Sequence, residues 1–229
     1  MSNNIKCISP IDGSVYAKRT CLTVHAAREL IEQATQAQAS WAALPVSERI
    51  GYVKKAVAYI GETKDRMVTE LAHQMGRPVR YGGEFGGFEE RAHYMASIAE
   101  DALAPLVVEE SDAFMRKIER EPVGVVLVVA PWNYPYMTAI NTIAPALIAG
   151  NTVVLKHASQ TILVGEHLAD AFNAAGLPNS VFTNMVLDHE TTAKLIADAH
   201  FGLVNFTGSV EGGRAMERAA AGTFTAVST

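Results

Sequence analysis

Cysteine is scarce in this sequence. Only Cys7 and Cys21 occur among the 229 residues, and their spacing is not that of a metal site. Nothing near them indicates secretion, so we expect two ordinary thiols rather than a disulfide. The seven histidines are also scattered, without the i, i+4 pair typical of zinc ligands, and we expect no metal.

Positive charge and long hydrophobic runs are lacking too. A net charge of −5 argues against the basic surface on which nucleic-acid binding depends. No apolar stretch reaches about 18 residues without Gly, Pro or Asn, and the first segment, MSNNIKCISP, is polar, so neither a membrane span nor a secretory signal is predicted. We therefore expect a cytoplasmic protein. Its 49% hydrophobic residues are typical of a globular chain with a core.

The most informative stretch covers residues 123–156 and reads VGVVLVVAPWNYPYMTAINTIAPALIAGNTVVLK. Its first seven residues are mostly β-branched and do not alternate with polar residues, which predicts a central parallel strand covered on both faces. The turn PWNYP follows at the carboxyl end of that strand, where open α/β sheets bind ligands. Pro131 and Pro135 fix φ on either side of Asn133. We therefore expect the Asn133 amide to be held in one orientation, as suits a donor to an oxyanion.

Beyond this turn, strand-like and helix-like segments alternate to the end of the chain. The predicted strands are residues 123–130, 152–156, 181–185, 203–206 and 223–228. Repeated right-handed βαβ crossovers predict an α/β fold with a doubly wound, Rossmann-like parallel sheet over residues 123–229. The pattern predicts a further element after the last strand, so we expect this domain to be incomplete at its C-terminus.

Residues 1–104 are predicted to be mostly helical. Ser47 is predicted to cap the second helix, and Gly76 followed by Pro78 is the expected end of the third. Glycine pairs at 82–83 and 86–87 precede aromatic helix positions rather than follow a strand, and we interpret them as a flexible helix start. Residues 105–122 carry mixed charges and are predicted to form an exposed, extended arm.

Two further groups of residues are candidates for ligand binding. Lys156 ends the second strand at the same sheet edge as Asn133, so its ammonium is placed to reach a ribose hydroxyl or a phosphate. The alternative is a solvated lysine at a strand end. Gly208, Ser209 and Gly213 follow a strand and open a helix, whose free N–H groups attract a pyrophosphate. This turn lacks the GxGxxG pattern, and the alternative is a serine N-cap beside small residues that help packing.

The motifs PWNYP, APALIAGNTVVLK and FTGSVEGG, in this order, resemble those of the aldehyde dehydrogenase superfamily. The segment AAGLPNSVF and the helical N-terminal part are also similar, so the resemblance covers essentially the whole chain. It implies NAD or NADP as cofactor and an aldehyde substrate that is oxidised to a carboxylic acid. Asn133 matches the catalytic asparagine that stabilises the thiohemiacetal oxyanion. The resemblance places the cofactor against Val129, Ala130, Pro131, Trp132, Lys156, Ser159, Gly208, Ser209 and Gly213.

Two departures from the family pattern concern selectivity. Ser159 stands where many members have a glutamate that binds ribose hydroxyls and repels a 2′-phosphate. We therefore expect relaxed cofactor selection, with NADP bound at least as well as NAD. Thr138 and Asn141 match positions that line the aldehyde tunnel. Their polarity favours a small polar aldehyde or a semialdehyde of the succinate semialdehyde type.

A larger departure is that the family's general-base glutamate and nucleophilic cysteine match no residue up to Thr229, and Cys7 and Cys21 lie in no catalytic motif. The resemblance is thus to the N-terminal cofactor-binding portion, truncated before the catalytic domain. Two functions remain open. The chain is either part of an NAD(P)-dependent aldehyde dehydrogenase, inactive without its C-terminal catalytic portion and homo-oligomeric when complete, or a stand-alone nucleotide-binding or structural module without catalytic activity.

Overall fold

A short hairpin and four helices form the first part of the chain. The computed structural model describes residues 3–229. Strands β1 and β2 pair antiparallel and span Asn4–Ile8 and Val15–Thr20. The helices that follow are α1 (Val24–Ala42), α2 (Val46–Glu62), α3 (Lys64–Met75) and α4 (Phe85–Leu103). The predicted helical character is confirmed, and α3 ends as expected, with Gly76 in the left-handed conformation at φ 77°.

One detail of this helical part differs from the prediction, and a second adds to it. Ser47 is not the N-cap of α2, because the helix already begins at Val46, behind Pro45, and no side chain caps it. Two of the glycines around the start of α4 allow close packing, and the flexibility of this helix start stays a prediction. A Cβ on Gly83 would lie 2.7 Å from the Met67 sulfur, and one on Gly87 would lie 2.4 Å from the Met137 sulfur.

The predicted arm is extended and exposed, but it pairs with itself. Strands β3 (Leu106–Glu110) and β4 (Met115–Ile118) form an antiparallel hairpin. Nearly all of its residues are exposed to solvent, including large apolar side chains. The connection between the two strands contains no Asn-Gly turn, the usual sequence signal of a hairpin. The sequence therefore predicts extended chain but not the pairing.

A five-stranded parallel sheet dominates the second part, as predicted. Its elements in chain order are β5 (Val125–Val129), α5 (Pro135–Ile148), β6 (Thr152–Lys156), α6 (Ile162–Ala174), β7 (Phe182–Asn184), α7 (His189–Ala197), β8 (Leu203–Phe206), α8 (Val210–Ala220) and β9 (Ala226–Ser228). The strand order is β7-β6-β5-β8-β9, and every pair is parallel. The last strand is shorter than predicted, because Phe224 adopts a positive φ of 59° just before it.

Helices cover both faces of this sheet. Val126 and Val128 of β5 belong to a core with side chains of α2, α4, α5 and α6. Val125, Leu127 and Val129 point the other way, into a core with side chains of α1, α7 and α8. All five residues of β5 are buried, which explains its continuous apolar sequence. None of the helices within residues 3–229 is long and apolar enough to span a bilayer.

Candidate functional site

A cleft of about 860 Å³ opens at the carboxyl ends of the central strands. The chain leaves β5 towards β6 on one side, while β8 pairs with β5 on the other, so this is the point where the winding of the sheet reverses and where such folds bind ligands. All but one of the predicted site residues line the cleft, namely Val129, Ala130, Pro131, Trp132, Asn133, Lys156, Ser159, Gly208 and Ser209.

Gly213 is the exception. It is buried in α8, where an added Cβ would contact Thr229 at 3.3 Å, and Gly212 lines the cleft instead. At Gly208 and Gly212 an added Cβ would lie 2.5 Å and 2.4 Å from the tip of the Phe206 ring. These two glycines therefore make room for an aromatic side chain of the protein itself, which is the packing role considered as an alternative.

Ser209 caps α8, as the alternative interpretation of this turn predicted. The backbone N–H of Gly212 donates to Ser209 Oγ at 3.1 Å. The N–H groups of Val210 and Glu211 precede it in the first turn and have no acceptor within the helix. Such free N–H groups at the positive end of a helix dipole suit a phosphate. Capping and anion binding are thus compatible at this helix.

Lys156 is largely buried and is not the exposed lysine that the alternative interpretation expected. The residue is only 4% exposed, and among residues 3–229 its ammonium has neither a hydrogen-bond nor an ion-pair partner. Burial lowers the Lys156 pKa below its ordinary value, while Cys21 and Asp188 act in the opposite direction. A buried cation without a partner is costly. Since Lys156 lines the cleft, a polar ligand there would supply the missing partner.

The Asn133 side chain has one fixed end and one free end. Its Oδ1 accepts a hydrogen bond from the backbone N–H of Tyr134 at 3.0 Å. Its Nδ2 group donates to no atom in the described part of the chain. The amide oxygen is therefore held by the turn itself, and the N–H donors remain available to a ligand in the cleft.

Comparison with known proteins decides the family. The aldehyde dehydrogenase family model matches residues 1–229. The chain belongs to the aldehyde dehydrogenase family. It is 34% identical over 187 residues to the NAD(+) benzaldehyde dehydrogenase of Pseudomonas putida, covering 80% of this chain and 38% of that protein. It is 31% identical over 187 residues to the NADP(+) succinate-semialdehyde dehydrogenase of Deinococcus radiodurans, covering 80% of this chain and 39% of that protein.

Solved structures show the same family and fold. A NAD-dependent benzaldehyde dehydrogenase from Corynebacterium glutamicum superposes with a TM-score of 0.88 at 27% identity, covering 100% of this chain and 50% of that one. The chain thus spans half or less of the length of these relatives. Its resemblance to the cofactor-binding portion of an aldehyde dehydrogenase is confirmed at the level of family and fold.

His157 contacts the Pro131–Pro135 turn of the cleft through its imidazole ring. It is buried next to Lys156, and the backbone N–H of Ala158 donates to its Nδ1 at 2.9 Å. Its Nε2 lies 3.4 Å from the carbonyl oxygen of Pro135 in the turn. Burial lowers the His157 pKa to about 4. The ring is therefore neutral at neutral pH and adds no second charge beside Lys156.

Several residues of the aldehyde dehydrogenase cleft were missed in the sequence, among them Gln160, His189, Thr192, Thr207, Met216 and Arg218. Most of them lie on α7 and α8, and no local motif marks them. The only usable signal was that both helices begin after strands whose carboxyl ends meet at one edge.

Residues 3–229 contain no group of three or more His, Cys, Asp or Glu placed to hold a metal ion.

Proposed function

We propose that this chain is the NAD(P)-binding part of an aldehyde dehydrogenase that oxidises an aldehyde to a carboxylic acid, with the nucleophile and general base in a C-terminal portion. One observation carries the proposal. The cleft gathers the unpartnered ammonium of Lys156, the free N–H groups of α8 and the free amide donor of Asn133. These groups match the ribose, the pyrophosphate and the oxyanion that such a reaction must bind.

The residues present fit a dinucleotide. Lys156 donates to ribose hydroxyls of the adenosine half, and the first turn of α8 binds the pyrophosphate. A bound nicotinamide supplies the hydride acceptor for aldehyde oxidation. When a thiolate of the C-terminal portion attacks the aldehyde, the carbonyl oxygen gains negative charge. Asn133 Nδ2 then donates to that oxygen, and stabilises the charge without reorganising.

A stand-alone binding module is the second candidate. It is favoured by the two cysteines, which are both buried and whose pKa values are both raised by burial, so that neither is a reactive thiolate. Sequencing the gene beyond Thr229 distinguishes the two functions. An in-frame continuation with the family's Glu-Leu-Gly-Gly motif and cysteine supports the enzyme, whereas a stop codon directly after Thr229 supports the module.

Replacing Lys156 with methionine should weaken NAD and NADP binding about tenfold or more, since a buried charge-assisted hydrogen bond is lost. Stability should stay the same or rise, because methionine fills the same space without a buried charge. Calorimetric titration and urea unfolding measure the two effects. Lys194→Met, on the exposed side of α7, is the matched control. Unchanged affinity in a chain that binds nucleotide, or unfolding of the variant, would contradict the assignment.

Ser159 is proposed to relax the choice between NAD and NADP. It lies in the cleft at the start of the 3₁₀ turn Ser159–Thr161 and offers no carboxylate to repel a 2′-phosphate. Ser159→Glu should lower the affinity for NADP relative to NAD by about tenfold, the effect of roughly 1.4 kcal/mol of like-charge repulsion. Ser97→Glu adds the same charge on α4, outside the cleft. The idea fails if NAD already binds far more tightly and Ser159→Glu leaves the ratio unchanged.

A small semialdehyde is the proposed substrate class. Thr138 and Asn141 lie on α5 just beyond the Asn133 turn. The Arg91 guanidinium donates to Asn141 Oδ1 at 3.2 Å, so a cation lies beside Asn141. A positive charge near the substrate path favours an aldehyde that carries a carboxylate. The Deinococcus radiodurans relative is named for such a substrate, succinate semialdehyde.

The β3–β4 hairpin is proposed to bind another copy of the chain in a complete homo-oligomer. Its large exposed apolar side chains are Leu106, Val107, Val108, Met115 and Ile118. Exposed apolar patches and open strand edges are typical of association sites. Sedimentation velocity on the complete protein tests this, and a monomer would contradict it.

A cytoplasmic location remains a prediction from the sequence.

A further inference from the structure

Arg77 and Glu84 form a largely buried ion pair next to the Asn133 turn, outside the cofactor cleft. The Arg77 guanidinium lies 2.6 Å from Glu84 Oε1, and the two side chains are 13% and 2% exposed. Arg77 follows α3, and Glu84 directly precedes α4. Both line a separate cavity of about 650 Å³ and neither lines the cleft. A buried pair of charges is tolerated only when further hydrogen bonds satisfy it, so its other contacts are informative.

The second oxygen of Glu84 caps helix α5 from a distance. Glu84 Oε2 accepts the backbone N–H groups of Tyr136 at 3.1 Å and of Met137 at 3.0 Å. Helix α5 has no cap of its own, because Tyr134 makes no side-chain cap and Pro135 has no N–H to offer. A carboxylate at a helix N-terminus is also stabilised by the helix dipole. The carboxylate therefore fixes the start of α5.

Arg77 extends the same support to the turn. Its second NH₂ group donates to the carbonyl oxygen of Asn133 at 2.8 Å. Its guanidinium carbon lies 5.1 Å from the centroid of the Tyr134 ring, within the range of a cation–π contact. The ion pair thus contacts four residues around the turn, namely Asn133, Tyr134, Tyr136 and Met137.

We propose that Arg77 and Glu84 are positioning residues that aim the Asn133 amide into the cleft. This rests on the proposed function, in which Asn133 stabilises the oxyanion. Neither residue lines the cleft, so both act through the turn. Their effect matters because a displacement of about 1 Å in a catalytic group can cost about 10²-fold in rate. Pro131 and Pro135 stiffen the turn, and the ion pair adds hydrogen bonds that connect it to the segment between α3 and α4.

Two substitutions separate positioning from a purely structural role. Glu84→Gln removes the charge at the cap, whereas Arg77→Lys keeps a charge beside Glu84 but cannot reach both Glu84 and the Asn133 carbonyl. The matched control is Glu166→Gln, which removes the Arg19–Glu166 pair, with contacts of 2.5 Å and 2.8 Å, far along the chain from the turn. Each variant is made in the 229-residue chain.

Two properties are measured. The first is the hydrogen exchange of the backbone amides of Tyr136 and Met137. The second is the ¹⁵N–¹H nuclear Overhauser effect of the Asn133 side-chain amide, whose signal is identified by its absence in the Asn133→Asp variant. Glu84→Gln should lower the protection of both backbone amides about tenfold, the equivalent of one charged hydrogen bond. Arg77→Lys should leave that protection unchanged and still lower the Asn133 Overhauser effect. Glu166→Gln should change neither, whatever it does to the urea midpoint.

The outcome that overturns the proposal is an unchanged Asn133 signal in a folded Arg77→Lys variant. If Glu84→Gln does not fold, Arg77→Lys still decides, because Arg77 is the residue that contacts Asn133 directly. Failure of the proposed function shows itself separately, as an absence of nucleotide binding in the unsubstituted chain. That result would leave the Asn133 measurements intact and so would not be mistaken for failure of the positioning pair.

Discussion

The isolated 229-residue chain should not oxidise aldehydes at the rate of an ordinary dehydrogenase. It carries the Asn133 amide, but this hydrogen-bond donor is not sufficient for the reaction. An amide can stabilise an oxyanion only after a nucleophile has attacked the carbonyl. Cys7 and Cys21 are buried, and burial raises the pKa of each, so both remain thiols. Loss of the nucleophile typically costs several powers of ten in rate. At most a trace of turnover should therefore be detected.

The assay compares the purified chain with a reconstituted enzyme. Each is given NAD or NADP and a panel that includes benzaldehyde and succinate semialdehyde. Activity should appear only after addition of a separately expressed C-terminal portion with the Glu-Leu-Gly-Gly motif and the cysteine. Asn133→Ala should then lower kcat by about 10²–10³-fold, as removal of one oxyanion donor does. Ordinary turnover by the isolated chain that Cys7→Ala or Cys21→Ala abolishes would show that the nucleophile lies in these residues.

The surface of the turn is consistent with the C-terminal portion that we propose. Trp132 and Tyr134 are 50% and 52% exposed on either side of Asn133, although large aromatic residues are usually covered. The C-terminal portion is expected to pack over them. Without it, the exposed aromatic surface should promote self-association of the chain.

The sheet could be predicted because its signals are local. The β5 sequence is apolar throughout since both faces of that strand are covered by helices. Because ligands of open α/β sheets bind at the carboxyl ends of the strands, Asn133, Lys156 and Ser209 could be predicted to line one cleft. What these residues share is their place at the end of a strand or the start of a helix, which can be read directly along the chain.

The environment of each site residue could not be predicted in the same way. Lys156 is buried near Cys21, which precedes α1, and Asp188, which precedes α7, and no neighbour in the sequence indicates this. Arg77 and Glu84 are separated from Asn133 by about fifty residues, and their hydrogen bonds exist only once α4 packs against α5. The burial of Lys156 and the support of the turn are therefore tertiary properties.

Acidification from about pH 6.5 to about pH 4 should destabilise the chain through two buried histidines. Burial is the largest cause that lowers the pKa values of His157 and His167 to about 4, whereas both titrate near 6.5 in an unfolded chain. Between these values the unfolded state binds more protons than the folded state. The stability due to each neutral ring is therefore fully present above about pH 6.5 and is lost as the pH falls towards 4.

The hydrogen bonds of His167 favour its neutral form in addition to burial. Thr63 Oγ1 donates to the carbonyl oxygen of Tyr59 at 2.8 Å, so it accepts from His167 Nε2 at 2.7 Å. His167 Nδ1 must then accept from the Tyr136 hydroxyl at 2.8 Å. Protonation would make Nδ1 a donor, so the Tyr136 hydroxyl would have to rotate to accept from it and would lose its own acceptor. The nearby Arg66 charge lowers the His167 pKa further, and Asp170 opposes it.

Urea unfolding between pH 7.5 and pH 4.5 measures the effect. Each histidine contributes roughly 2–3 kcal/mol over this window, from about 1.4 kcal/mol per pH unit between 6.5 and 4.5. Burial raises the pKa values of Glu70 and Glu84, and these carboxyl groups act in the opposite direction near the lower end, so the net loss should be smaller than the sum. His167→Phe should be less stable than the unsubstituted chain at pH 7.5, because Tyr136 and Thr63 lose a partner, yet its stability should fall less steeply with acid. His93→Gln, at an exposed position of α4, should keep the original slope. An unchanged slope in both His167→Phe and His157→Asn would show that these rings do not titrate as proposed.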